Sequence, residues 1–241
     1  MISFDNINIF QVGVGGTGSW LVPYCIKLFK NITDAYAIKN ITYYLIDDDI
    51  VEPVNIKRQN FDSEDVDRNK AITTLRKYNH VFTKMIPLKL KINIKELRRL
   101  FKNLNNENTI NIIVGCTDSS ECRRDIYTFM IKRRKENIIY IDSGNNLYEG
   151  QIITTFNRNI KSTNFGNWQK RVIDFLEKFK DIPPNENEVE PTCELFGNQS
   201  LQINSLAATL LYTTIHNILV LNRLPAEELL FSNYGYCTFN I

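Results

Sequence analysis

Short, almost wholly apolar runs alternate along this chain with longer segments of helical spacing. Residues 7–12, 41–46, 110–114 and 138–141 are such runs, each closing on glycine or aspartate. An apolar run of that length, bounded by turn residues, reads as a strand covered on both faces, as in a parallel sheet. Residues 17–29, 67–78, 94–104 and 119–135 read as the intervening helices, with Pro23 expected to kink the first. Residues 83–90 add a strand, residues 33–40 an extra loop, residues 103–111 a polar loop, and residues 150–156 a strand in a mixed half of the sheet. A long amphipathic helix over 201–221 precedes a hairpin of 231–234 and 237–240 around Gly235. Strands alternating with helices predict a doubly wound, Rossmann-like α/β fold: a mostly parallel sheet, helices on both faces, and a mixed C-terminal half. We read 1–241 as one domain, with a nucleotide-binding core (1–156), a crossover region (157–197) and a C-terminal helix and hairpin (198–241). Within 157–191, Asn, Lys and Glu dominate and Pro183-Pro184 breaks helical spacing, leaving a short helix near 168–178.

The first strand runs into Gly13-Val14-Gly15-Gly16-Thr17-Gly18. In such a turn the first glycine permits the tight bend and the second a close approach to phosphate. The last lets helix and strand pack closely, and the helix N-terminus favours an anion. Asp47 ends the second strand, where a carboxylate can accept hydrogen bonds from ribose hydroxyls. Any of Asp47, Asp48 and Asp49 could read the ribose; position favours Asp47, and Asp49 is kept in the candidate set.

The residues that follow separate two classes of ligand. A dinucleotide pyrophosphate is largely satisfied by backbone amides, whereas a triphosphate gathers charge at its β and γ groups and needs cations there. Arg58 offers a planar fork and Lys70 a compact charge, with Asn55 and Gln59 as neutral orienting groups. Beyond the apolar strand of residues 110–114, Asp118 is placed to hold Mg²⁺ on a polyphosphate; it also suits the N-cap of the next helix.

The run L-I-D-D-D-I-V-E-P-V-N-I-K-R-Q-N-F followed by D-V-D-R-N-K-A resembles the signature of the ThiF/MoeB/HesA superfamily, the bacterial relatives of ubiquitin-activating enzymes. G-C-T-D at 115–118 resembles that family's strand-end motif, with Ser119 in place of the usual asparagine and Arg123 matching a family arginine. D-S-G-N at 142–145 is similar to a family turn lining the substrate channel. P-T-C with Q-S-L-x-x-N-x-x-A-A (Pro191 to Ala208) resembles the PRTRC-system ThiF branch.

The resemblance implies ATP-dependent adenylation of the C-terminal carboxylate of a small ubiquitin-like (β-grasp) protein ending in glycine, with Mg²⁺ as cofactor, by a homodimer. It implies Arg58, Lys70 and Asp118 as the catalytic set and Cys193 as a candidate thioester site, with a buried structural thiol as the alternative for Cys193. Many relatives also use an N-terminal arginine that reaches across the dimer. Here the residues open on the first strand, so Arg123 substitutes, or the dimer contributes differently, or adenylation is weak. Two other readings stay open: an NAD-dependent oxidoreductase, which leaves Arg58, Lys70 and Asp118 idle, and a non-catalytic ThiF-like protein-binding module of a mobile-element system.

Composition narrows the setting. A net charge of +2 across 241 residues argues for neither nucleic acid nor an anionic membrane. The basic helix over 94–104 and Lys132-Arg133-Arg134-Lys135 read as solvated faces. No apolar run is long enough to span a bilayer, and no leader peptide is expected. Cys25, Cys116, Cys122, Cys193 and Cys237 are scattered, so reduced thiols in a cytoplasm are expected and zinc is not.

Overall fold

The computed structural model describes residues 4–35, 40–102, 104, 108–133, 136–157, 200–221, 223, 228–234 and 237–240. The short helix expected near 168–178 and Cys193 lie outside the described residues. The strands are β1 (Asn6–Val12), β2 (Asn40–Ile46), β3 (Met85–Leu88), β4 (Thr109–Gly115), β5 (Ile138–Asn145), β6 (Glu149–Phe156), β7 (Glu228–Ser232) and β8 (Cys237–Asn240). The helices are α1 (Gly16–Ala35), α2 (Lys70–Tyr78), α3 (Ile94–Leu100), α4 (Ser120–Lys132) and α5 (Leu201–Leu219).

All eight strands form one sheet in the order β3-β2-β1-β4-β5-β6-β7-β8. The first five are parallel, and β6, β7 and β8 join antiparallel. Alternation along each strand divides the core in two. Ile7, Ile9, Tyr43, Leu45, Ile110 and Ile112 face α1, α2 and α5. Phe10, Val12, Ile46 and Ile113 face α3 and α4, where the Phe10 ring stacks on Tyr44 at 4.5 Å. Because the chain order reverses at β1, the carboxyl ends of β1 and β4 diverge into a crevice, the usual ligand site of open α/β sheets.

Differences from the expected boundaries have local causes. α1 runs unbroken through Pro23 and reaches Ala35, well into the segment expected to loop, because Phe29 and Ile32 keep its apolar face buried. α2 begins at Lys70, where the Asn69 side chain caps it by accepting from the Ile72 amide. Residues 142–145 form no turn: they extend β5 and pair with β6. The bend falls on Asn146, whose side chain accepts from the Tyr148 and Glu149 amides. No helix among the described residues is long and apolar enough to cross a membrane.

Candidate nucleotide site

The glycine turn leaves β1 under tight constraint. Gly13 adopts φ +96°, and a Cβ there would fall on the Cys116 carbonyl of the neighbouring strand end. Its amide donates to the Ile46 carbonyl (2.9 Å), while the Cys116 amide donates to Val12 (2.7 Å), so the ends of β1, β2 and β4 are tied together. A Cβ at Gly18 would overlap the Gly13 carbonyl, so the turn closes only with glycine at that position. Gly16 opens α1, whose first-turn amides lack intrahelical acceptors by helix geometry and are available to an anion.

Asp47 is buried and accepts the Val14 amide at 2.6 Å and the Asp49 amide at 2.9 Å. Burial raises its carboxyl above the usual carboxylate range, against the opposing pull of those two amides and of Lys70. The carboxylate thus braces the glycine turn and retains lone pairs for a ribose hydroxyl. Asn69 donates to the Asp47 and Asp49 carbonyls, both at 2.9 Å, fastening the acidic run to the start of α2. That places Lys70 against the run: its buried side chain pairs with exposed Asp49 at 3.0 Å. The carboxylates of Asp47, Asp48 and Asp49 lie within 4.8 Å of one another, but two of the three are already engaged, by backbone amides and by Lys70.

Between β2 and α2, a 3₁₀ turn over Pro53–Lys57 carries buried Asn55, whose side chain accepts the Glu52 amide. The turn delivers Arg58 and Gln59. Trp20 Nε1 donates to the Arg58 carbonyl at 3.1 Å, and Asn204 Nδ2 approaches the same oxygen at 3.5 Å. The Gln59 amide lies over Gly15, its Nε2 3.7 Å from where a Cβ would stand. Among the described residues, Arg58 Nε and Gln59 Oε1 are buried without a hydrogen-bond partner. Such atoms carry a desolvation penalty that a polar ligand would relieve.

The opposite wall comes from β4 and β5. Asp118 is exposed beyond the end of β4, and the cap of α4 is Ser119, whose hydroxyl accepts the Cys122 amide. Behind it, Arg123 is held on buried Asp142 (Nε to Oδ1 3.2 Å and to Oδ2 3.1 Å) and on the Ser143 carbonyl (2.9 Å). Tyr140 donates to the same carboxylate at 2.7 Å. Thr17 of the glycine turn donates to Asn145, and Asn145 to buried Asn204, joining α1, β5 and α5.

The structure therefore sets Gln59 against Gly15 of the glycine turn, Asp47 on the Val14 amide and Lys70 on Asp49, with Asn55 and Arg58 on the connection from β2 to α2 and Asp118 beyond the end of β4. The ThiF family model matches residues 3–234. The chain belongs to the ThiF family. No curated protein matches the sequence. Among solved structures, PaaA is similar over 97% of this chain and 71% of its own, at 17% identity and TM-score 0.58. Escherichia coli MccB crystallised with AMPCPP and MccA is similar over 98% of this chain at 15% identity and TM-score 0.63, and this chain spans 64% of it. MccB crystallised with ATP gives 16% identity and TM-score 0.61, again with 64% of that chain covered. These likenesses establish a shared fold.

Within this ThiF-family fold, Gln11 had no motif to mark it, while Asn69, Arg123, Asp142 and Asn145 fell inside family-like motifs that did not reveal their hydrogen-bond partners. A polar side chain inside an apolar run was the available signal for Gln11. None of the cysteines with described side chains is activated. Burial pushes the thiols of Cys25 and Cys122 up to about 12, and that of Cys116 well above its usual value.

Proposed function

We propose that this chain adenylates the C-terminal carboxylate of a small ubiquitin-like protein ending in glycine, using ATP and Mg²⁺. A carboxylate oxygen attacks the α-phosphorus. The bond from that phosphorus to the α,β-bridging oxygen breaks, and pyrophosphate leaves with the electron pair. The observation that carries this reading is the pair of buried, unpartnered polar atoms on the consecutive residues Arg58 and Gln59, the latter with its amide against Gly15 of the glycine turn. They ask for a ligand with both acceptors and donors, and a polyphosphate nucleotide supplies both. Arg58 and Lys70 would balance charge on the triphosphate, Asn55 and Gln59 would orient it, and Asp47 would hold the ribose. Asp118 would hold Mg²⁺, which supplies charge neutralisation between the phosphates. Catalysis is then positioning and electrostatics rather than proton transfer.

The ThiF-family match supports this reading, as do neighbours crystallised with ATP and with MccA. The glycine turn and Asp47 suit a nicotinamide dinucleotide equally well, but Arg58 and Lys70 would then have no phosphate to meet. The active form is proposed to be a cytoplasmic homodimer of a single adenylation domain, with no zinc. Cys193 is a candidate acceptor of the activated carboxyl.

A thermal-shift titration tests the assignment. A ligand at 100 times its dissociation constant stabilises the native state by about 2.7 kcal/mol, roughly 5–10 °C for a chain of this size. ATP·Mg²⁺ should produce that shift in the wild type and less in Asp118→Ala, and pyrophosphate exchange should require a candidate partner. A response to NAD alone would refute adenylation. Silence with both ligands would point to a non-catalytic binding module.

A further inference from the structure

We propose that Gln11, backed by Tyr43, is a positioning residue that holds the glycine turn in the shape that receives the nucleotide. The inference rests on the reading of that turn as a polyphosphate site.

Gln11 lies near the end of β1, beside Phe10 and Val12, and is fully buried. A buried amide without partners would be costly, and this one is fully engaged. Nε2 donates to the Gly13 carbonyl at 3.0 Å and to the Gly18 carbonyl at 3.0 Å. Oε1 accepts from the Tyr43 hydroxyl, which comes from the adjacent strand β2. Burial raises the Tyr43 hydroxyl well above the ordinary phenol range, so it remains a donor at every working pH. Its neighbour Cys25 is likewise kept a neutral thiol.

The two glycine carbonyls belong to the first and last glycines of the turn. The Gly13 carbonyl and the Val14 amide form one peptide plane, and that plane is gripped at both ends: Gln11 holds the oxygen and Asp47 Oδ2 the N–H. A peptide bordered by glycine at φ +96° has few steric barriers to rotation, so external bonds must define its orientation. If it turned, the Gly13 oxygen would face the Asp47 carboxylate, and both the turn and the residue proposed to hold the ribose would have to shift. Gln11 prevents this from the far side of the turn, without touching ligand. The same amide stands where a Cβ at Gly18 would come, so Gln11 also fills the space that Gly18 leaves open.

Gln11→Met keeps the length and shape of the side chain and removes its donors; Tyr43→Phe removes one oxygen and serves where the first variant folds poorly. Two quantities are measured on each: calorimetric affinity for ATP·Mg²⁺, and hydrogen exchange of the Val14 amide against the Ile112 amide in β4. Loss of the two bonds should weaken ATP·Mg²⁺ about tenfold or more. Exchange at Val14 should accelerate while Ile112 keeps its protection. Unchanged affinity and unchanged Val14 protection in both variants would overturn the proposal. Exchange that accelerates equally at Val14 and Ile112 would also overturn it, since Gln11 would then be a general structural residue. A wild type that binds no ATP·Mg²⁺ refutes the reading of the site itself, and the phosphate role of Gln11 with it. That outcome is distinct from a wild type that binds and a variant that binds equally well.

Discussion

Replacing Arg123 with Met tests whether this arginine holds the fold or serves the phosphates. The guanidinium is mostly buried and makes three polar contacts, two to the Asp142 carboxylate and one to the Ser143 carbonyl. The carboxylate it meets is nearly inaccessible, with a side-chain exposure of 3%. Met preserves much of the packing of the aliphatic stem, so the loss is mainly electrostatic. With the cation removed, Asp142 retains only the Tyr140 hydroxyl among the side-chain donors described here. Breaking a buried pair in this way costs about 3–5 kcal/mol, because one charge stays buried without compensation. For a chain of this length that lowers the melting temperature by roughly 6–20 °C. The assay is urea unfolding at neutral pH, run as a double-mutant cycle with Asp142→Asn. A coupling energy above about 1 kcal/mol is expected for directly bonded partners. Destabilisation below that level, with ATP·Mg²⁺ affinity sharply reduced, would refute the structural role and return Arg123 to the phosphates.

Asp47→Asn should change how stability responds to pH. Because burial raises the Asp47 carboxyl, the native state binds its proton more tightly than the unfolded chain does. Its contribution is therefore complete below about pH 4, the unfolded-state value, and declines as pH rises through the native value. The advantage of wild type over Asp47→Asn, read from urea midpoints, should shrink from acid towards neutral pH; a widening gap would contradict this. Gly18→Ala places a methyl on the Gly13 backbone carbonyl and should cost at least about 1–3 kcal/mol, with loss of the ATP-dependent thermal shift. Gly15→Ala meets only the Gln59 amide at ordinary distance and should stay within about 0.5 kcal/mol, measured by the same unfolding curves.

Much of this protein was legible one residue at a time. The apolar runs at 7–12, 41–46, 110–114 and 138–141 identified buried parallel strands because each is short, uninterrupted and closed by turn residues. The glycine turn, Asp47, Arg58, Gln59 and Lys70 were legible as candidates because their residue types suit a phosphate-bearing ligand and their order resembles the ThiF-family signature. Strand extension at 142–145 was not, since Asp, Ser, Gly and Asn favour turns locally. Pairing with β6 overrides that preference by satisfying the backbone across the sheet.

The sequence by itself thus determined the fold class, the family resemblance and a candidate inventory for the site. Those follow from periodicity, side-chain chemistry and short family-like motifs, all of them read locally along the chain. Only the tertiary structure decided how the inventory is held: Gln11 under the turn, Asp47 on the Val14 amide, Asn69 on the acidic run, Arg123 committed to Asp142. Each of these pairs brings together groups from separate stretches of chain or folds a strand end back on itself. Hydrogen-bond partnership depends on distance in space, and no pattern along the sequence encodes that distance.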